Sequence, residues 1–244
     1  MLKPFFAVAL DVLFPPLCHV CRRFIPTACE LHICPDCRDL MPPIAAPLCI
    51  VCGIPFCGAG SDHICGSCST SPPRFDAARA ALAYEGASRD LIHAYKYRNK
   101  THLRRPLALL TMERLSGFMH SRWPDLIMPV PLHRKKLSSR GFNQAVLLGE
   151  IFSQQLKIPL DRWNLRRVRW TEPQVNLAAH DRRTNVKGAF AIHESALLNG
   201  RRVLLVDDVL TTGSTADECG RVLKAAGAAG AADVTVITVV RALG

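Results

Sequence analysis

From about residue 73 onward the 244-residue chain alternates apolar runs of strand length with polar clusters and helical patterns. Val203-Leu204-Leu205-Val206 has the unbroken apolar character of a strand buried on both faces of a parallel sheet, and it ends abruptly in Asp207 and Asp208. Thr211–Thr215 then supplies hydroxyls and a glycine, and Ala216 to Ala226 predicts a helix. Leu126–Pro131 predicts another strand, followed by a cationic loop from Leu132 to Gln144 and an apolar helix to about Leu156. The stretch Arg166–Leu177 followed by Asp181–Phe190 predicts a short strand, a polar excursion and a return to the sheet. Leu91–Arg98 predicts a helix with Lys96 and Arg98 near its end, where cations complement the helix dipole. Strands alternating with helices indicate an α/β domain, with a mostly parallel sheet flanked by helices.

The first 72 residues show no such periodicity and are organised by cysteine instead. Ten of the eleven cysteines lie before Thr70, and eight form four C-x-x-C pairs: Cys18/Cys21, Cys34/Cys37, Cys49/Cys52 and Cys65/Cys68. Twelve residues separate the first pair from the second, and twelve the third from the fourth, so the segment is an internal repeat of period 31. Pro16-Leu17-Cys18 returns as Pro47-Leu48-Cys49, and His32-Ile33-Cys34 as His63-Ile64-Cys65. Each C-x-x-C turn places two thiolates on one side, and two such turns brought together make the tetrahedral four-sulfur site of structural zinc. The repeated spacing favours one zinc per repeat, hence a small double zinc ribbon. Zinc is expected to carry most of its stability, because a repeat of 31 residues buries little apolar surface.

A disulfide scaffold would suit a small secreted chain. Here Asp11 interrupts the apolar run Pro4–Leu10 and no A-x-A cleavage site follows, so a cytoplasmic location is expected. No stretch approaches the roughly 18 apolar residues of a membrane span. Cys29 and Cys57 break the repeat and read as spare thiols, and Cys219 as a core residue. His19, His32 and His63 lie beside knuckles, but four cysteines already satisfy each site. The stretch Ser69-Thr70-Ser71-Pro72-Pro73 marks the joint, giving a zinc module over 1–72 and an α/β domain over 73–244.

Charge is divided unequally. The chain has a formal charge of +11, yet residues 1–72 hold four Lys/Arg against five acids. With eight zinc-bound thiolates and two divalent ions the module would stand near −5, a poor grip for a phosphate backbone. Residues 89–140 carry a net +9 and residues 162–187 a net +5. The positive charge therefore belongs to the α/β domain.

Ligands of open α/β sheets sit at the carboxyl ends of the strands, where Asp207 and Asp208 lie. The helix that follows offers backbone N–H groups and partial positive charge to a phosphate, and Gly213 permits close backbone approach. This layout resembles the signature by which type I phosphoribosyltransferases bind phosphoribosyl pyrophosphate (PRPP). The resemblance implies that Asp207 and Asp208 hold the ribose 2′- and 3′-hydroxyls. It implies that Thr211, Thr212, Gly213, Ser214 and Thr215 hold the 5′-phosphate. Arg134, Lys135 and Arg140 would offset the charge of pyrophosphate, with Arg140 beside the two acids at the chemical step; Lys136 and Arg122 read as solvated. Magnesium would accompany PRPP. Purine-salvage members usually place an acid where Thr211 stands, which argues against hypoxanthine or guanine as acceptor.

Four further elements occur in order: His93–Arg98, Arg140-Gly141-Phe142-Asn143-Gln144, Thr171-x-x-Gln174-x-x-Leu177 and Arg182-x-x-Asn185-Val186-x-Gly188-Ala189-Phe190. With the double zinc ribbon and the PRPP signature, the chain is similar over nearly its whole length to the ComF family, GntX-like proteins included. That resemblance implies a phosphoribosyltransferase of unknown acceptor, acting in the handling of internalised single-stranded DNA during competence or in DNA use as a nutrient. Two other classes compete with it. One is a PRPP-binding sensor without turnover. The other is a plain single-stranded DNA module that grips phosphates with the two basic segments and stacks bases on Trp170, Tyr95 or Tyr97. The acidic, Pro-rich zinc module suits a protein partner from the DNA-uptake machinery.

Overall fold

A computed structural model describes residues 15–25, 30–171, 184–225 and 230–243. After the zinc module the chain runs β1 (Ala77–Ala83), α1 (Gly86–Tyr97), α2 (Arg104–Arg114), α3 (Ser116–Ser121), β2 (Leu126–Pro129), α4 (Arg134–Arg140) and α5 (Gln144–Leu156). It continues with β3 (Leu165–Arg167), β4 (Phe190–Ile192), β5 (Arg202–Leu210), α6 (Ser214–Lys224) and β6 (Asp233–Arg241). Strands β1, β6, β5 and β2 lie in that order as one fully parallel sheet. The two central strands are the longest and are buried along most of their length, because both their faces are covered. Leu204 and Val206 face a core shared with Leu91, Ile92 and Tyr95 of α1 and with Leu107, Leu148 and Phe152 of α2 and α5. Val203 and Leu205 face the opposite core with Cys219 and Leu223 of α6. Alternation along one strand thus builds two layers, and Cys219 is a core residue as expected.

Three details depart from the sequence reading. Strand β5 does not stop at Val206: Asp207 is in register with Thr238 and Val209 with Val240, because β6 runs beside it to Arg241. The cationic stretch is not a loop but the helix α4, capped by His133 at its start and by Gly141 in the left-handed conformation at its end. The return near Phe190 does not rejoin the parallel sheet, since β4 pairs antiparallel with β3 alone. A strand carrying Arg166 and Arg167 cannot occupy a position covered on both faces. Residues 172–183 of the polar excursion lie outside the described residues.

The zinc module repeats bond for bond. Cys18 N donates to Arg23 O and Cys49 N to Ile54 O, both at 2.8 Å; His19 N donates to His32 O at 2.8 Å and Ile50 N to His63 O at 3.1 Å. Four sulfurs gather in each repeat, Cys18, Cys21, Cys34 and Cys37 in one and Cys49, Cys52, Cys65 and Cys68 in the other, all within 4.8 Å of one another. The Cys21–Cys34 and Cys52–Cys65 sulfurs are 3.7 and 3.8 Å apart, the edge of a tetrahedron with metal–sulfur bonds of about 2.3 Å. Burial raises the Cys18 thiol pKa, but the amides of Cys34, Cys21 and Val20 outweigh it and hold the group down at about 6. Each repeat therefore presents a preformed thiolate to a structural zinc.

The module also closes the β1 edge of the sheet. Ala83 N donates to Pro42 O, Ile44 N to Ala81 O, and Ala78 N to Val51 O at 2.7 Å, so backbone groups that would otherwise template foreign strands are paired. Leu31, Ile33 and Met41 share a core with Leu82 and Leu107. Gly53 follows the first knuckle of the second repeat with φ +69, and a Cβ there would stand 2.4 Å from Ala78 O. Arg22 holds the equivalent place in the first repeat with φ 64. Among the described residues no helix is long and apolar enough to cross a membrane.

Metal analysis of the reduced protein should find two zinc ions per chain, and chelation should lower Tm and expose the β1 edge to aggregation. The two equivalent left-handed positions should respond with opposite signs. Gly53→Ala should destabilise by about 2 kcal/mol or more, whereas Arg22→Gly should be neutral or stabilising by up to about 1 kcal/mol. Urea denaturation of both variants measures this.

Candidate functional site

Asp207 and Asp208 sit side by side near the carboxyl end of β5, with Asp208 5% exposed and its N–H donating to Asp207 Oδ1 at 2.9 Å. From the last turn of α1, Lys96 brings Nζ to 2.9 Å from Asp208 Oδ1, in a pair whose side chains are 17% and 8% exposed. Lys96 is therefore part of the site and not a dipole-complementing surface cation. The sequence held the signal: Ser88, Ile92 and Lys96 fall at four-residue spacing beside Leu91 and Tyr95, which puts a cation on the buried stripe of an amphipathic helix.

Burial, and then the Asp208 charge, push the Asp207 carboxyl up to about 7, with Lys96 opposing both. Burial works against charge on Lys96, but Asp208 outweighs it and holds the ammonium above the usual lysine value. Lys96 thus pairs directly with Asp208 and acts on Asp207 only through its charge.

Beyond Leu210 the chain turns through Thr211, Thr212 and Gly213 into α6. Gly213 is the N-cap with φ +79 and supplies no capping side chain of its own, while Thr212 Oγ1 accepts from Ser214 N at 3.4 Å. A serine or aspartate there would fill the position with its own oxygen, and glycine does not. Ser214 is 3% exposed, and its hydroxyl lies 2.8 Å from that of Thr212. Thr211 and Thr215 are half-buried on either side of this turn. The turn is held from behind. Arg74 N donates to Asp217 Oδ1 at 2.6 Å, and Gly188 N to Glu218 Oε1 at 2.7 Å, which ties the returning end of the polar excursion to α6.

The opposite wall is cationic. The helical geometry of α4 separates residues that the loop reading had grouped. Arg134 and Lys135 are exposed, whereas Lys136 and Arg140, one turn apart, are half-buried. Burial, then Arg140, Lys96 and Arg167, lower the Lys136 pKa, and Asp208 opposes them. Lys136 therefore belongs with the charged groups around Asp208 and is not simply solvated. Arg122 instead pairs with Asp233 at 2.7 Å, away from the site. The Arg140 guanidinium lies 5.2 Å from the Tyr97 ring centre, and Lys135 Nζ 5.8 Å from that of Trp170, which His133 meets edge-on at 5.3 Å. Arg167 of β3 reaches Thr171 Oγ1 and feels Asp207, and its buried Nε has no hydrogen-bond partner among the described residues.

Tyr95 is not a stacking residue. It is fully buried, and its hydroxyl donates to Gln144 O at 2.9 Å. Tyr97 and Trp170, 60% and 37% exposed, stand at the rim. The Arg140–Gln144 element is a joint: Gly141 ends α4, and Asn143 Oδ1 accepts from Ala145 N to start α5. Asn143 Nδ2 also donates to Val130 O, and Phe142 packs 6.0 Å from Tyr95. That joint fixes the end of α1 that carries Lys96.

Comparison with known proteins agrees with this anatomy. The Double zinc ribbon domain matches residues 9–69, and the Phosphoribosyl transferase domain matches residues 143–243. Competence protein F of Haemophilus influenzae is 34% identical over 209 residues, which cover 80% of this chain and 91% of that protein. DNA utilization protein YhgH of Escherichia coli O157:H7 is 34% identical over 222 residues, covering 88% and 93%. Competence protein ComFC of Bacillus subtilis is 26% identical over 222 residues, covering 86% and 84%. With its parallel sheet and paired four-cysteine sites, the chain belongs to the competence protein F (ComF) family, a double zinc ribbon joined to a phosphoribosyltransferase-like domain.

Proposed function

We propose that the cleft above Asp207 and Asp208 binds magnesium-PRPP and transfers its phosphoribosyl group to an acceptor. In this reading the chain is a cytoplasmic protein of two modules divided near residue 72. It handles internalised single-stranded DNA in competence or DNA utilisation, with the zinc module as the surface for a protein partner. The observation that carries the reading is the juxtaposition at the end of β5. Two adjacent acids lie one turn before the uncapped N-terminus of α6, opposite the cationic face of α4.

Each part has a role that its chemistry suits. Asp207 and Asp208, as carboxylates, accept the ribose hydroxyls. The first turn of α6, with Thr211, Thr212, Gly213, Ser214 and Thr215, takes the 5′-phosphate. Magnesium prefers hard oxygen ligands and suits this acid pair and a pyrophosphate; when bound it neutralises phosphate charge. Breaking the bond from ribose C1 to pyrophosphate leaves negative charge on the departing group. Lys136 and Arg140, half-buried and preorganised on one helix face, stabilise that charge more than exposed Arg134 and Lys135 can. The end of the β3–β4 ribbon is held by Arg169 bonds to Asn185 O and Lys187 O at 2.9 and 2.6 Å, and Arg167 of the same ribbon feels the Asp207 charge.

One observation favours a second reading, in which the protein grips single-stranded DNA with or without turnover. Tyr97 under Arg140 and Trp170 under Lys135 are exposed aromatic–cation pairs, which suit base stacking beside phosphate neutralisation.

Mg·PRPP at 100 times its Kd should stabilise the fold by about 2.7 kcal/mol and raise Tm by several degrees. The Asp207→Ala/Asp208→Ala variant should lose this shift. Lys136→Ala and Arg140→Ala should each weaken binding roughly tenfold or more, and Lys135→Ala by less. Pyrophosphate release with an acceptor separates enzyme from sensor. A chain indifferent to PRPP, whose DNA affinity falls steeply with salt and on neutralising Lys135 and Arg140, would support the DNA reading alone.

The acid pair also makes a stability prediction. A carboxyl whose folded pKa is raised contributes stability that is present below about pH 4 and lost as pH rises through about 7. Asp207→Asn should therefore be the more stable protein at pH 8, by about 1 kcal/mol or more and roughly 2–4 °C in Tm. The difference should vanish near pH 4, and thermal scans across pH measure it.

A further inference from the structure

The first knuckle of the second repeat, Cys49 to Cys52, rests on the sheet through three successive carbonyls. Ile50 O accepts from Arg79 Nη1 at 3.3 Å, Val51 O from Ala78 N at 2.7 Å and Cys52 O from Arg241 Nη1 at 2.5 Å. Among the described residues the equivalent carbonyls of the first repeat, those of His19, Val20 and Cys21, accept nothing from the sheet. Arg241 is 6% exposed, and among the described residues its guanidinium bonds only to Cys52. Its Nη2 stands 3.9 Å from Cys52 Sγ, and its buried Nε has no hydrogen-bond partner among those residues. The main chain that carries it is fixed on both sides. Arg241 is in register with Leu210 of β5, and its carbonyl accepts from Tyr84 N at 2.7 Å.

A buried guanidinium without a carboxylate is costly unless another negative group faces it. Four thiolates around one divalent ion leave a formal −2, and Cys52 is one of the four. We propose that Arg241 is the counter-charge of the second zinc centre, so that the two zinc sites are unequal: the second is locked to the sheet, and the first is the one that exchanges. Arg241 is a positioning residue that acts on the metal through Cys52. Arg79, half-buried and bonded to Ile50 O and Ala78 O, adds a cation to the same knuckle. In the first site Cys21 is exposed where Cys52 is half-buried in the second. Among the described residues no lysine or arginine side chain bonds to a sulfur or knuckle carbonyl of that first site. Loss of the second zinc removes the negative centre that faces Arg241, and a buried charge left alone destabilises a fold strongly. Loss of the first removes no partner of this kind. This role does not depend on what the cleft binds.

The test follows zinc release from the zinc-loaded, full-length protein into excess chelator. Freed thiols are alkylated at successive times, and peptide mapping assigns each phase to a site. Wild type should release zinc in two phases. Cys18, Cys21, Cys34 and Cys37 should be alkylated first, and Cys49, Cys52, Cys65 and Cys68 about tenfold more slowly or slower still. Arg241→Met should speed release from the second site about tenfold or more and leave the first phase unchanged. Arg241→Lys should restore part of the difference, because it returns the charge without the planar fork. Second-site release that is unmoved in Arg241→Met would overturn the counter-charge role. So would acceleration of both sites by one factor, which a general loosening of the fold produces. Wild type that loses both ions at one rate, or the second ion first, would overturn the inequality of the sites. If Arg241→Met fails to fold, Arg241→Gln keeps a donor for Cys52 O without the charge. Faster release confined to the second site in that variant would support the role, and unmoved or uniformly faster release would refute it.

Discussion

Two carboxylates held side by side on a buried strand repel each other and resist desolvation, so a fold that contains them must supply counter-charge. The surroundings of Asp207 and Asp208 follow from that constraint. Lys96 arrives from α1, and α4 turns Lys136 and Arg140 to the same side. Helix α6 begins at Gly213 without a side-chain cap, so its positive end remains available beside the acids. Even so, one direct ammonium does not neutralise two acids, and Asp207 stays near the point of protonation at neutral pH. Such imbalance is what a site for a polyanionic substrate with its own metal requires, because the incoming ligand completes the charge balance.

The zinc module contributes to the same architecture from the other side. A four-stranded parallel sheet has two exposed edges, and short pieces of chain cover both. Residues 42–51 pair along β1, and Pro159–Asp161 pair with Ile127 of β2. The first ribbon shares its core with α2 and the sheet, so zinc binding and α/β packing are one problem. The repeat accommodates this asymmetrically. Gly53 is needed where the first knuckle of the second repeat presses on Ala78, whereas its counterpart Arg22 keeps a side chain.

Much of this was legible in the sequence because it depends on local chemistry. The period of 31 announced two four-cysteine sites, since a tetrahedral metal needs its ligands at fixed spacing. The Val203–Val206 run announced a strand with both faces covered, and the acids and hydroxyls after it announced the ligand end of the sheet. What remained hidden depends on periodicity inside polar segments. A run of Arg and Lys has no apolar stripe to reveal a helix, so α4 read as a loop, and the difference between Lys135 and Lys136 was lost with it. Lys96 was hidden for the opposite reason, as one cation at the end of an apolar helix face whose partner lies 112 residues further on. Tyr95 read as available for stacking because an aromatic beside cations looks alike whether its ring is buried or free.

The account stands or falls on what occupies the end of β5. A crystal structure of the zinc-loaded protein with saturating Mg·PRPP tests it most directly. It should show the ribose hydroxyls on Asp207 and Asp208, with Lys96 still paired to Asp208. The 5′-phosphate should lie over the first turn of α6, and the pyrophosphate should face Lys136 and Arg140. An empty cleft at saturating ligand, or PRPP bound elsewhere on the chain, would contradict it.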